Sequence, residues 1–93
     1  MVESIVIFKD DDLGYLYWLD SNPGGYVVNC HRNPTQDYLK LHRANCYSIS
    51  GVPSKGKWWT NQYIKVCSMD KNALADWAMT RVGGEIQPCS HCM

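Results

Sequence analysis

The residues of this sequence best suited to chemistry are its cysteines and histidines. Cys89 and Cys92 form a C-x-x-C unit, a spacing that lets two thiolates bind one tetrahedral metal ion. His42 and Cys46 form an H-x-x-x-C pair that can supply the other two ligands. The sequence therefore predicts a Cys₃His zinc site, and a site closed by four protein ligands is structural because no position remains for water or substrate.

Other uses of the five cysteines stay open from the sequence. Cys67 can replace one of the predicted ligands, and Cys30 with His31 is a further candidate pair. The thiols can also be inert and buried. A disulfide framework is disfavoured because five is an odd number and the sequence carries no export signal. A thioredoxin-like redox motif is disfavoured because such a motif opens a helix in a βαβ unit.

Catalytic patterns are weak in this sequence. Residues 88–92 match the P-C-x-x-C half of the zinc deaminase signature, but neither His31 nor His42 is followed by the glutamate that those enzymes use for proton transfer. Glu3 and Glu85 are the only glutamates, and there is no phosphate-binding glycine loop or nucleophile elbow. The sequence favours a non-enzymatic protein.

Basic and aromatic residues are concentrated in the middle of the chain. The net charge is zero, yet residues 25–67 hold six lysines and arginines against a single aspartate. Lysines that follow phosphates, beside rings that stack on bases, are typical of nucleic-acid binding. The predicted ligand is DNA, including DNA that carries a modified base. The predicted contacts are Lys40, Arg43, Lys55, Lys57 and Lys65 to phosphates, and Tyr38, Trp58, Trp59 and Tyr63 to bases.

The two adjacent tryptophans also fit a different function. Neighbouring residues of an extended chain face opposite sides, so at most one of Trp58 and Trp59 enters a core easily. An exposed tryptophan can anchor a partner protein, and both rings can instead pin a loop onto the core. A small sheet with an open edge strand also invites pairing with a second copy. Protein–protein interaction is therefore the alternative function.

The elements that must position these residues alternate between strand and helix patterns. Strands are predicted over 4–8, 25–30, 38–43 and 60–67, with a short one over 46–50. A first helix follows three capping aspartates, with Leu13, Leu16 and Tyr17 at helical spacing. A second helix begins after Asp70 and ends at Gly83. Its apolar stripe is Leu74, Trp77, Ala78 and Val82.

This order predicts an α+β fold. The expected architecture is a small, mostly antiparallel sheet with two helices packed on one side, stapled by the zinc site. With 93 residues, the chain has room for one domain, spanning 1–93. Its composition, 45% hydrophobic and 19% charged, excludes intrinsic disorder.

Length and patterning also bear on location. No run approaches the roughly 20 apolar residues of a membrane span, and the first apolar run, residues 5–8, is too short for a signal peptide. We therefore expect a cytoplasmic protein with reduced thiols and no membrane partner.

Several short segments form a combination that covers nearly the whole chain. They are 14–15 with 18–19, 22–29, 38–44, 59–60, 63–67 and the terminal C-x-x-C. This combination resembles small uncharacterised bacterial proteins and modules, some of them attached to larger restriction- or defence-type proteins. The resemblance favours DNA binding and implies a role for no particular residue.

Overall fold

The computed structural model describes residues 5–46, 49, 60, 63–90 and 92. Five strands and two helices lie in these residues, so the predicted α+β class is confirmed. In chain order they are β1 (Val6–Phe8), α1 (Asp12–Ser21), β2 (Tyr26–His31), β3 (Leu39–Arg43), β4 (Tyr63–Ser68), α2 (Lys71–Trp77), a π-helical turn (Ala78–Val82) that continues α2, and β5 (Gln87–Pro88).

The strands form one sheet in the order β1-β4-β2-β3-β5. All neighbouring pairs are antiparallel except β3 with β5, which is parallel. Alternation along β2 defines the two faces of the sheet. Val27 lies opposite His42 and Cys67, whereas Val28 lies opposite Leu41 and Val66. Side chains that lie opposite each other share a face.

Each face is covered by one helix. Tyr15 and Leu19 of α1 pack with Val27, and we call this side the α1 face. Leu74 and Ala78, from α2 and its continuation, pack with Val28 on the opposite side, the α2 face. The prediction that both helices pack on one side is therefore wrong, although the mostly antiparallel sheet is as expected.

The strand order explains this difference. Strands β1 and β2 are parallel because both pair with β4, and the register likewise makes β4 parallel to β5. Helices α1 and α2 therefore each connect parallel strands, and both connections cross the sheet toward the β5 edge. They start, however, from strands that run in opposite directions. Because such crossovers are nearly always right-handed, the two helices are placed on opposite faces.

The predicted helix boundaries rest on side-chain caps. The Asp11 carboxylate accepts a hydrogen bond from the Gly14 backbone N–H at 2.9 Å, and the Asp70 carboxylate accepts one from Asn72 at 2.9 Å. Each carboxylate satisfies a backbone donor that the helix leaves free. Gly83 ends the second helix with φ of +82°, a left-handed conformation that favours glycine.

The segment between β3 and β4 differs from the prediction where it is described. Cys46 lies outside any strand and Ile49 has helical backbone, so these two residues do not continue the sheet. Thr60 is fully buried. Its backbone N–H and hydroxyl both donate to the Asp12 carboxylate, at 2.8 and 2.7 Å, which ties the start of β4 to α1.

Among the described residues, no helix combines the length and the hydropathy that a membrane span requires.

Candidate metal centre

Strand β3 and the turn after it position the first two candidate ligands. His42 lies opposite Val27 on the α1 face and is buried. The chain then reverses in a turn, in which the Cys46 N–H donates to the Arg43 carbonyl at 2.9 Å. The Ala44 N–H donates to the Gly25 carbonyl at 2.9 Å, which anchors this turn to the start of β2. The turn returns Cys46 to the same side as His42.

The other two candidate ligands follow strand β5 in the chain. It runs beside β3, and the Cys89 N–H donates to the Leu41 carbonyl at 2.8 Å as the strand ends. Arg43 then holds the last residue of the group. Its backbone N–H donates to the Cys92 Sγ at 3.4 Å and its Nε donates to the Cys92 carbonyl oxygen at 2.8 Å.

The four predicted ligands meet in one cluster. The candidate ligand atoms of His42, Cys46, Cys89 and Cys92 all lie within 4.8 Å of one another. Zn–S bonds of about 2.3 Å place the corners of a tetrahedron roughly 3.8 Å apart, so shifts of about 1 Å would complete the coordination. Three of the four residues are buried and Cys92 is half-buried. The residues therefore form a possible metal-binding site of the right donor number and size.

The close sulfur atoms of the cluster make ionisation of its thiols unfavourable. Burial, together with the neighbouring sulfurs of Cys46 and Cys89, raises the pKa of Cys92 to about 11, while the Arg43 N–H opposes the shift. Three thiolates this close repel one another, and a divalent cation relieves that repulsion.

The alternative cysteine ligands lie elsewhere in the described structure. Cys67 is buried in β4 on the α1 face, and its burial raises its pKa well above the ordinary range for a thiol. Cys30 is buried on the α2 face, where burial raises its pKa to about 11. Neither belongs to the cluster of possible ligands, nor does His31. None of the five cysteines forms a disulfide bond.

The predicted nucleic-acid contacts are spread over different parts of the fold. Lys40 is half-buried on the α1 face, whereas Arg43 belongs to the α2 face and is exposed. Tyr63, at the start of β4, is exposed. The other predicted contacts, Lys55, Lys57, Trp58 and Trp59, lie outside the described residues.

Lys65 lies in the interior. It is 3% exposed, with its Nζ 5.6 Å from the centroid of the Tyr15 ring. Burial lowers its pKa to about 8. A predicted phosphate contact at this position would require the ammonium to leave the core, so Lys65 is not part of the surface described next.

A group of three rings forms at the end of the α1 face that is distant from the metal centre. His31 stacks on Tyr63 at 5.2 Å between centroids and lies 5.4 Å from Tyr38, and the two tyrosine rings are 5.6 Å apart. We call His31, Tyr38 and Tyr63 the ring cluster. Sequence reasoning named the two tyrosines but missed His31, because only the pairing of β2 with β4 puts His31 opposite Tyr63.

A cavity lies between Tyr38 of the ring cluster and the metal centre. Its volume is about 260 Å³, and its walls include Asn29, Tyr38, Lys40, His42 and Cys89. The Asn29 Nδ2 donates to the Tyr38 hydroxyl at 3.1 Å. The buried Oδ1 of Asn29 accepts no hydrogen bond from the described part of the chain, so it is a candidate acceptor for a ligand.

The fold and the site together define a small α+β protein with a possible His/Cys metal centre. The chain matches no protein-family model, no curated protein and no solved structure when compared with each. The resemblance to bacterial defence-type modules has no counterpart in these comparisons.

Proposed function

We propose that this protein is a non-enzymatic nucleic-acid-binding module whose fold is stapled by one structural zinc ion. His42, Cys46, Cys89 and Cys92 are the zinc ligands. Three thiolates and one imidazole are donors typical of structural zinc sites. A structural role is supported by the four-ligand set, which would leave zinc no open position. When bound, the zinc joins the end of β3 to the segment that follows β5.

The single observation that carries the nucleic-acid assignment is the ring cluster beside a cavity lined by Asn29 and Lys40. Rings of this kind stack on unpaired bases, and such stacking contributes about 1–3 kcal/mol per base. Lys40 borders the cavity and supplies a positive charge for the backbone phosphate. Asn29 presents a buried acceptor to an amino group on a base edge. The ligand is therefore a single-stranded segment or an unstacked base, with DNA as the first candidate.

Zinc also supports the binding surface in this proposal. His42 and Cys89 are ligands and at the same time walls of the cavity. Removing the metal would release the side chains of His42 and Cys89 from coordination and change the shape of the cavity. Base binding and metal occupancy should therefore be lost together. Five cysteines without a disulfide bond fit a reducing compartment such as the cytoplasm.

Metal analysis tests the zinc assignment. Protein purified without chelator should carry about one zinc per chain, and Cys92→Ala should lose it while Cys30→Ala keeps it. Cys30 is a suitable control because it is a free cysteine on the other face of the sheet. A folded, metal-free wild type, or metal retained by Cys92→Ala, would overturn the assignment.

Fluorescence anisotropy tests the nucleic-acid assignment. Labelled single-stranded DNA should bind more tightly than the same sequence as duplex, and its affinity should fall steeply as salt rises. Tyr38→Ala and Tyr63→Ala should each weaken single-strand binding by about tenfold, in line with a lost stacking contact. Tyr17→Ala, an exposed tyrosine on α1 outside the ring cluster, is the matched control. The assignment would be refuted if Tyr38→Ala and Tyr63→Ala bind as tightly as Tyr17→Ala, or if the wild type does not bind at low salt.

A further inference from the structure

Helix α1 is apolar on two sides, and the sheet covers one of them. Tyr15 and Leu19 are buried in the core of the α1 face. On the opposite side, Leu13 is 84% exposed, Tyr17 75% and Leu16 37%. A helix that is apolar all round is ordinarily buried all round. The side of α1 that the described residues leave exposed is therefore an unsatisfied apolar surface.

The exposed residues of α1 form one continuous stripe. Positions three and four apart lie side by side on a helix, so Leu13, Leu16 and Tyr17 are neighbours, and Asp20 continues the same side by one further turn. We call the first three the outer stripe. Exposed apolar patches of this kind mark sites of protein interaction, and the i, i+3, i+4 spacing is the one that a second helix contacts.

The described residues on α1 and just before it carry mostly negative charge. Asp20 is exposed, and no basic residue stands in the last turn of α1, where the helix dipole adds to its negative potential. Between residues 5 and 24, Lys9 is the single basic side chain against four aspartates. One of the four, Asp10, is paired with Arg32 at 2.6 Å. A partner that covers the stripe should therefore be basic.

A second copy of this chain fits the stripe poorly. Two-fold pairing of α1 with its symmetry mate in the antiparallel sense brings Asp20 of each helix to the start of the other, where Asp11 is the N-cap and Asp12 lies in the first turn. Like charges would then meet at both ends of the contact. The same reasoning disfavours an anionic lipid surface.

We propose that the outer stripe binds a basic amphipathic helix of a partner protein. The partner's apolar residues cover Leu13, Leu16 and Tyr17, and a lysine or arginine of the partner lies beside Asp20. This binding uses neither the ring cluster nor the metal ligands, so it is independent of the nucleic-acid assignment.

Two synthetic helical peptides test the proposal by titration calorimetry with the zinc-loaded protein. One has leucines at i, i+3, i+4 and i+7 with lysines elsewhere, and the other has glutamates in place of the lysines. The wild type should bind the lysine peptide. Leu13→Gln with Tyr17→Gln should weaken that binding at least about tenfold, because residues at the centre of an interface dominate its affinity. Asp20→Asn should weaken it less, and mainly at low salt.

Met79→Gln is the matched control, since Met79 is 54% exposed on the other helix and should have no effect. Leu13→Gln alone, at the most exposed position, keeps the test valid if the double variant is less well folded by circular dichroism. The proposal is overturned if the wild type does not bind, if the glutamate peptide binds equally well, or if the stripe variants bind like the wild type. Self-association that the stripe substitutions abolish, measured by sedimentation, would assign the stripe to a second copy and likewise overturn it.

Discussion

Replacing the buried Lys65 by methionine should stabilise the protein near neutral pH, and the gain should shrink as the pH rises. Lys65 is 3% exposed, and burial lowers its pKa from 10.5 to about 8. At pH 7 the folded protein must therefore keep a charged ammonium in its core. Methionine fills nearly the same space without the charge, so the variant avoids this desolvation penalty.

The size of the effect follows from the two pKa values of Lys65. Between pH 8 and 10.5 the unfolded chain holds the proton more tightly than the folded chain, so the free energy of unfolding rises with pH in this window. A difference of about 2.5 pKa units corresponds to roughly 3 kcal/mol in total. Between pH 7 and 9.5, the free energy of unfolding of the wild type should rise by about 2 kcal/mol from this group. The advantage of Lys65→Met should fall by the same amount.

Urea unfolding of both proteins, saturated with zinc at each pH, measures this difference. The buried thiols and Tyr15 are common to both proteins, but the charge of Lys65 lowers the pKa of Cys30 and Cys67, so their titration cancels only in part. Ile64→Met, at the neighbouring buried position of β4, changes no titrating group and should differ from the wild type by a constant amount. A pH-independent difference for Lys65→Met would show that Lys65 is hydrated in the folded state and would refute the reasoning.

Two further predictions concern the contacts that fix the helices. Asp70→Ala removes the cap of α2 and should lower the free energy of unfolding by about 1 kcal/mol in a urea titration. Asp70→Asn keeps an acceptor for the cap and should retain most of this stability. Equal losses in the two variants would contradict a capping role. Thr60→Val removes a buried hydroxyl bonded to Asp12 and to the Asp11 N–H, and should cost about 2 kcal/mol in thermal and urea unfolding. Thr60→Ser, which keeps the hydroxyl, should lose less, and a Thr60→Val variant as stable as the wild type would contradict the tie between α1 and β4.

The metal centre could be predicted from the sequence because its determinants are local. The C-x-x-C spacing, the alternation that ends β3 at Arg43 and the turn to Cys46 each act over a few residues. The pairing of β5 with β3, which brings the two halves together, is long-range. Periodicity gives no sign of this pairing, and only the shared set of ligands linked the terminal segment to β3.

The placement of α1 and Lys65 could not be predicted, and the two errors have one physical cause. Strand order depends on pairing between distant segments, which periodicity does not encode. With both helices assigned to one face, the face that carries Lys65 was expected to meet solvent. Helix α1 covers that face instead, so Lys65 is buried. Because α1 has apolar residues on both sides, its periodicity does not define which side is buried. In the structure the buried residues are Tyr15 and Leu19.

The shortness of β5 gives the metal centre a consequence beyond stability. Strand β5 pairs with β3 at only two positions, Lys40 with Gln87 and Leu41 with Pro88. If the centre binds a metal as proposed, β5 should detach first when the metal is removed and leave the hydrogen-bonding groups of β3 uncovered. An uncovered edge accepts strands from other molecules. A bound metal would then protect the protein against aggregation. After metal loss, aggregation should increase with protein concentration.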